Sequence, residues 1–261
     1  MIEIVPLMPR LYICSFPKSG THLAIRITAH LAQQQKPKHW LGSFDKNSWS
    51  MNWLDFEKYI EPVILGQPAG TWMMGHMGWD PRYIEAFNKM KTSVLFIYRD
   101  LRDVAVSQAY HIENPDDKRY RHPGKAEFMA LPDHQARIQA VIKGLGEWPG
   151  LFQRWDLFAP WLNCSDVLPI RFEQMVKEPR TVAQSVINYV AQRTLGETLP
   201  IVLQENYISA VEKAVNLMVE KEGVSFRAGR VGDWHFEFSD ETKALCKKLA
   251  GPRLEELGYE W

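Results

Sequence analysis

LYICSFPKSGTHLAIRI, residues Leu11 to Ile27, decides the fold. The apolar run Leu11, Tyr12, Ile13, Cys14 predicts a buried strand, and Phe16-Pro17-Lys18-Ser19-Gly20-Thr21 predicts a loop. Leu23, Ile27 and Leu31 then recur at helical spacing. Such a junction is an anion site, because the first N–H groups of a helix lack internal acceptors and its dipole adds positive potential. Lys18 supplies a point charge, Ser19 and Thr21 supply hydroxyl donors, and Gly20 lets the backbone come close. The loop suits a phosphate or a sulfate. It is not a Walker A loop, since no glycine precedes Lys18 and Gly20 follows it.

Three more apolar runs read as strands: Thr71–Gly75, Ser93–Tyr98 and Val167–Phe172. Helical patterns separate them, which predicts an α/β fold with a mostly parallel central sheet flanked by helices. Pro169 places the last run at an edge or makes it irregular. Helices are expected from about Pro132, from about Asn206 to Lys221 and near Asp240–Leu257, and the aromatic stretch Glu147–Leu162 reads as a helix plus a turn. Length allows one domain over 1–261. The charged, proline-bearing stretch from Ile112 opens an excursion over 112–147 that reads either as a lid over a substrate or as a surface loop.

Ligands of open parallel sheets bind beyond the carboxyl ends of the strands. The residues just past the four predicted strands lead to Lys18, His76, Arg99 and Phe172. In SVLFIYRDLRDVAVSQAYH (Ser93–His111), Ser107 follows Arg99 by eight residues, and a guanidinium fork plus a hydroxyl suits a terminal phosphate. Asp100 and Asp103 are expected to cap the helix or pair with Arg102. SFRAGRVGDW (Ser225–Trp234) has the glycines and arginines of a loop that wraps a phosphate. A lone histidine such as His76 in WMMGHMGWDP is usually structural, but its pKa class suits a base at neutral pH.

Thirty-one basic residues balance 31 acidic ones, so no global field draws in nucleic acid or a membrane surface, and any anion affinity must be local. Cys14, Cys164 and Cys246 are odd in number and far apart, which reads as free thiols in a reducing compartment rather than disulfides or a metal cluster. No apolar run approaches the ~18–20 residues of a membrane span. MIEIVPLMPR lacks a signal-peptide layout, so a cytoplasmic location is expected. Ten tryptophans fill core, and the bunching of Trp40, Trp49, Trp53, Trp72 and Trp79 leaves room for an aromatic-walled acceptor pocket.

Pro17-Lys18-Ser19-Gly20-Thr21 resembles the 5′-phosphosulfate loop of sulfotransferases that use 3′-phosphoadenosine 5′-phosphosulfate. Arg99, Asp103, Val104, Ala105, Val106 and Ser107 are similar to that family's 3′-phosphate motif, R-x-x-x-D-V-A-V-S. Phe226, Arg227, Gly229, Gly232, Asp233 and Trp234 match its F-R-K-G-x-x-G-D-W segment, with Ala228 where the family has lysine. LPIRFEQMVKEP (Leu168–Pro179) looks like the strand before its Y-E-D-L segment, with Phe172 in place of the adenine-contacting tyrosine. The likeness spans nearly the whole chain apart from Gln33–Gln67 and the middle insertion.

The resemblance implies sulfuryl transfer to a hydroxyl or amine of a small-molecule acceptor, by in-line displacement and without a metal. It implies His76 as base and Lys18 as the charge on the bridging oxygen. Lys18, Ser19, Gly20, Thr21 and His22 would hold the 5′-phosphate end. Arg99, Ser107, Arg227, Ala228 and Gly229 would hold the 3′-phosphate, and Phe172 the adenine. Met74 and Gly75 replace the lysine and threonine that commonly precede the histidine, and His22 and Leu23 replace the loop's second threonine and its tryptophan. His22 and His111 are rival bases. Glu113, Asp116 and Asp117 either suit a cationic or aromatic acceptor or keep a loop soluble. Two other readings remain: a P-loop-like small-molecule or nucleotide kinase, which would need magnesium ligands, and an inactive nucleotide-binding protein.

Overall fold

Every residue of the first strand, β1 (Leu11–Ser15), is buried. Its side chains alternate between two cores, as the period of two in a strand requires. Leu11 and Ile13 feed one face of the sheet, and Tyr12 and Cys14 feed the other. A strand covered on both faces must read as an unbroken apolar run, and this one does. A computed structural model describes residues 8–29, 31, 40–41, 55–114, 124–198, 201–220 and 230–261.

After β1 come α1 (Thr21–Ala29), the two-residue β2 (Trp40–Leu41) and a π-helical turn (Phe56–Ile60) leading into α2 (Glu61–Leu65). The middle of the chain gives β3 (Trp72–Gly75), α3 (Pro81–Lys89), β4 (Ser93–Tyr98), α4 (Leu101–Glu113), α5 (Lys125–Met129) and α6 (His134–Lys143). A small hairpin, β5 (Gly144–Leu145) with β6 (Trp148–Pro149), precedes α7 (Leu151–Asp156) and a 3₁₀ turn at Ala159–Asn163. The last part holds β7 (Val167–Arg171), α8 (Phe172–Lys177), α9 (Pro179–Leu195), α10 (Ile201–Glu220), α11 (Trp234–Glu237), α12 (Asp240–Ala250) and α13 (Arg253–Glu256).

The central sheet has the order β2-β3-β1-β4-β7, and all its pairings are parallel. The mostly parallel α/β architecture read from the sequence is therefore the fold. The chain leaves β1 for β2 and β3 on one side and for β4 and β7 on the other. The order reverses at β1, and the crevice beyond its carboxyl end is the switch point where such sheets bind ligands. Helices α1, α8, α9 and α10 cover one face through Leu23, Ile27, Met175, Val186, Ile208 and Val211, while α3, α4, α6, α7 and α12 cover the other.

The expected strand ends hold closely, with two small differences. The second strand begins at Trp72 rather than Thr71, and the fourth ends at Arg171 because Phe172 opens α8. Pro169 sits in β7 at the sheet edge, where a missing N–H costs no ladder bond on the open side. The helix expected over Asp240–Leu257 is two, because Gly251 at φ +54° and Pro252 interrupt it. The helix expected from about Asn206 starts at Ile201. Helix α9 lies outside the elements read from the sequence, although Val182, Val186, Ile187 and Val190 repeat at helical spacing on its buried face.

The aromatic stretch Glu147–Leu162 supports the switch point from behind. Trp155, Phe158 and Trp161, three residues apart, lay their rings 6.2, 6.4 and 6.2 Å from Phe96 of β4. Trp155 and Phe158 also meet Phe16 edge-on at 5.3 and 5.2 Å. Trp161 donates Nε1–H to the Met77 carbonyl at 2.9 Å, and the Trp79 amide donates to Leu157 at 2.7 Å. The loops that follow β1 and β3 are thus pinned to one aromatic wall. Trp49 and Trp53 lie outside the described residues.

Candidate active site

Two left-handed residues shape the loop after β1: Lys18 at φ +70° and Gly20 at φ +97°. Backbone that alternates hand in this way turns successive N–H groups to one side and makes a concave anion site. The Ser19 amide closes a turn onto the Phe16 carbonyl at 3.1 Å, and the Gly20 carbonyl accepts from Leu23 and Ala24 at 3.0 Å to start α1. The first-turn amides of α1 have no internal acceptors, by helix geometry. Ser19 is fully buried, and its Oγ has no hydrogen-bond partner among the described residues. A buried hydroxyl left over beside a helix N-terminus and a half-buried lysine fits an anionic group. His22 is exposed on the first turn.

Gly20 is required there for two reasons. Its φ is left-handed, and a Cβ would lie 2.4 Å from Phe172 Cδ2. Phe172 is buried beneath the loop, and one face of its ring carries the Arg99 guanidinium, 4.4 Å from the centroid. Gly20, Phe172 and Arg99 therefore form one packed stack that joins the exits of β1, β4 and β7. Arg99 Nη2 donates to Asp103 Oδ2 at 3.2 Å and to the Arg230 carbonyl at 2.7 Å. Asp100 caps α4 by accepting from the Arg102 amide at 2.9 Å and pairs with the Arg102 guanidinium at 2.7 Å. Ser107 is half-buried on α4. Arg227, Ala228 and Gly229 lie outside the described residues, which resume at Arg230 against Arg99.

His76 follows β3 and is tied to β1. Its Nδ1 lies 2.7 Å from the Ser15 carbonyl and 3.1 Å from Ser15 Oγ. A carbonyl only accepts, so Nδ1 carries the hydrogen and the basic lone pair sits on Nε2. Ser15 Oγ also bonds Thr21 Oγ1 at 2.7 Å, so Thr21, Ser15 and His76 form a single chain. Burial pushes the imidazole down to about 4; the Ser15 carbonyl opposes this, while Lys18 and His22 add to it. His76 is neutral at pH 7, the form in which an imidazole accepts a proton. Gly75 before it has no room for a side chain, since a Cβ would meet the Leu41 carbonyl at 1.6 Å.

Thr21 and His76 thus meet at Ser15, Lys18 lies near enough to His76 to lower its pKa, and Gly20 of the same loop packs on Phe172 and, through it, on Arg99. Sequence reading missed Ser15, although a hydroxyl closing an otherwise apolar strand was the available signal. It also missed Glu173, which accepts from the Asp100 amide at 3.0 Å and the Tyr259 hydroxyl at 2.9 Å. Glu113, read as an acidic lid residue, accepts from His134 at 2.8 Å and Arg137 at 3.0 Å, so its charge is answered within the protein. Asp116 and Asp117 lie outside the described residues.

A phosphate-type cradle at the switch point of a parallel sheet, beside a neutral imidazole, marks an α/β protein built to handle a phosphorylated ligand. The sulfotransferase domain matches residues 8–258. Mouse Sulfotransferase 2B1 is 23% identical over 248 residues, 88% of this chain and 66% of that protein. Rat Sulfotransferase 2A6 is 23% identical over 261 residues, 92% of this chain and 84% of that protein. Mouse sulfotransferase SULT7A1, solved as a complex with PAP, superposes with a TM-score of 0.62 at 16% identity, covering 96% of this chain and 86% of that one. The chain belongs to the sulfotransferase domain family and is a sulfotransferase of the kind that depends on 3′-phosphoadenosine 5′-phosphosulfate.

The packing of Gly20 on Phe172 gives a first prediction. Gly20→Ala should destabilise the protein by about 1–3 kcal/mol, through both backbone strain and the clash with the ring. In Gly20→Ala/Phe172→Ala the clash is gone and the strain remains, so the double variant should lose about 1 kcal/mol less than the sum of the singles. Urea midpoints of the four proteins check this, and simple additivity would disprove the contact.

Proposed function

We propose that this enzyme moves the sulfuryl group of 3′-phosphoadenosine 5′-phosphosulfate to a hydroxyl or amine of a small-molecule acceptor, with His76 as general base. One observation carries the reading. The Ser15 carbonyl fixes the His76 tautomer, leaving the basic lone pair on a neutral Nε2, and Lys18 lies near enough to lower the imidazole's pKa. The co-substrate supplies an activated sulfur bonded to a good leaving phosphate. The acceptor oxygen or nitrogen forms the new bond to sulfur while its proton passes to His76 Nε2. The sulfur–oxygen bond to the 5′-phosphate breaks, and its electrons stay on that phosphate oxygen.

Lys18 neutralises this developing charge, and the amides after Gly20 with Ser19 Oγ hold the 5′-phosphate in place. Arg99, Ser107, Arg227 and the backbone at Ala228–Gly229 are assigned to the 3′-phosphate. The assignment draws support from Arg99 donating to the carbonyl of Arg230, next in sequence to that backbone. Phe172 is assigned to the adenine end, where its ring bears on Gly20 and Arg99. Half-buried Trp79, three residues past His76 and edge-on to Trp161 at 4.9 Å, supports an acceptor with an aromatic or other flat apolar body. A cytoplasmic setting is part of the proposal. Among the described residues no helix is long and apolar enough to cross a membrane.

His76→Ala should lower turnover by roughly 10²–10⁴ with nucleotide affinity near normal. A loss within about threefold would remove His76 as the base. The base must be neutral, and its pKa lies at about 4 rather than 6.5, so activity should hold from pH 7 downward. In kcat/KM for the nucleotide, the acid limb should fall near pH 4, and a limb at the ordinary histidine value would contradict this environment. Thermal melting tests the nucleotide itself. 3′-Phosphoadenosine 5′-phosphate should raise the Tm without magnesium, whereas a response only to magnesium–ATP would favour a kinase.

A further inference from the structure

We infer that Asp103 is a positioning residue for the nucleotide's 3′-phosphate, because it holds the Arg99 fork and the segment after Gly229 in one register. The inference rests on the nucleotide reading above. Asp103 is 1% exposed, and its carboxylate accepts from three donors: Arg99 Nη2 at 3.2 Å, the Gly232 amide at 2.8 Å and the Trp234 amide at 3.1 Å. Gly232 stands at φ +82°, a left-handed turn that a side chain disfavours. Arg99 Nη2 returns to the same segment through the Arg230 carbonyl at 2.7 Å. A closed loop of hydrogen bonds therefore links β4, α4 and residues 230–234, which leave the stretch holding Arg227, Ala228 and Gly229.

Chemistry explains why an acid stands there. All three partners donate, and an ionised carboxylate is acceptor-only, so it satisfies them together. An amide of the same shape would turn its NH₂ toward at least one donor and leave that donor buried without an acceptor. Coulomb attraction alone makes the opposite demand. A negative charge beside the arginine that binds a phosphate weakens anion binding, so neutralising it should strengthen that binding. Positioning and simple electrostatics thus predict opposite signs for Asp103→Asn.

The experiment compares the affinity of wild type and Asp103→Asn for 3′-phosphoadenosine 5′-phosphate and for adenosine 5′-phosphate by calorimetry. Wild type should prefer the bisphosphate, and the variant should lose about ten- to a hundredfold of that preference with its adenosine 5′-phosphate affinity unchanged. A merely structural role would weaken both nucleotides alike, and that result overturns the inference, as does a preference that is kept or increased. If wild type itself does not distinguish the two, the nucleotide reading fails and the inference falls with it. If the variant does not fold, hydrogen exchange of the wild type decides. Slow exchange at the Gly232 and Trp234 amides in the free protein, slowed further by the bisphosphate but not by adenosine 5′-phosphate, supports the tether, and any other pattern overturns it.

Discussion

The β1–β3 ladder ends at the Cys14–Gly75 pair, and the rest of the site depends on the carbonyl one residue further on. Ser15 stands just past that pairing, where its main-chain oxygen takes the His76 Nδ1–H and its hydroxyl takes Thr21. One residue thus couples the imidazole at the end of β3 to the first turn of α1. Parallel pairing fixes both strand ends at the same level, so imidazole and loop are set by the sheet rather than by flexible connections. Gly75 belongs to the same constraint. The close approach of the Leu41 carbonyl leaves no space for a Cβ, which gives a steric reason for glycine before His76 where the family commonly has threonine.

Charge is handled locally, as a chain with equal numbers of acids and bases requires. Arg99 and Arg102 are both nearly buried, and each is answered by an acid close by in sequence at the start of α4, Asp103 and Asp100 respectively. Arg102 is further covered by Trp234 at 3.9 Å and Trp261 at 5.2 Å, and it donates to the Glu260 carbonyl at 2.7 Å. Buried guanidinium groups persist only when most of their donors are satisfied, so these acids are conditions for keeping the arginines inside at all. Arg102 serves the packing of the chain's last residues. Arg99, with Nε lacking a partner among the described residues, keeps unspent donor capacity.

Much of this was legible in the sequence because of one physical circumstance. Strands covered on both faces cannot alternate polar and apolar residues, so β1 and β4 announce themselves as unbroken runs with sharp ends. The residues past those ends then stand out: Lys18 after β1 and Arg99 after β4. What stayed hidden depends on contacts between distant segments. Nothing near Asp103 in sequence tells that its partners are the amides of Gly232 and Trp234. Trp40–Leu41 is too short for periodicity to register, and its pairing with β3 is a tertiary fact. The pairing of Asp100 with Arg102 was readable because it is local. The role of Ser15 was not, because its hydrogen bonds depend on how the end of β3 and the start of α1 come together around it.

The strained loop also shows how remote packing sustains local geometry. A lysine in the left-handed region costs roughly 1–2 kcal/mol. The Ser19 amide bond to Phe16 helps to hold it there, but a single hydrogen bond contributes only about 0.5–1.5 kcal/mol net. Phe16 supplies the remainder, being wholly buried and set edge-on between Trp155 and Phe158. Full burial of such a ring is worth about 1.5–3 kcal/mol, enough to offset the strain two residues later. The conformation of Lys18 is thus maintained by an aromatic segment more than a hundred residues away in the chain. Loosening that wall would free Lys18 to relax to an ordinary backbone angle and change the course of the loop into α1.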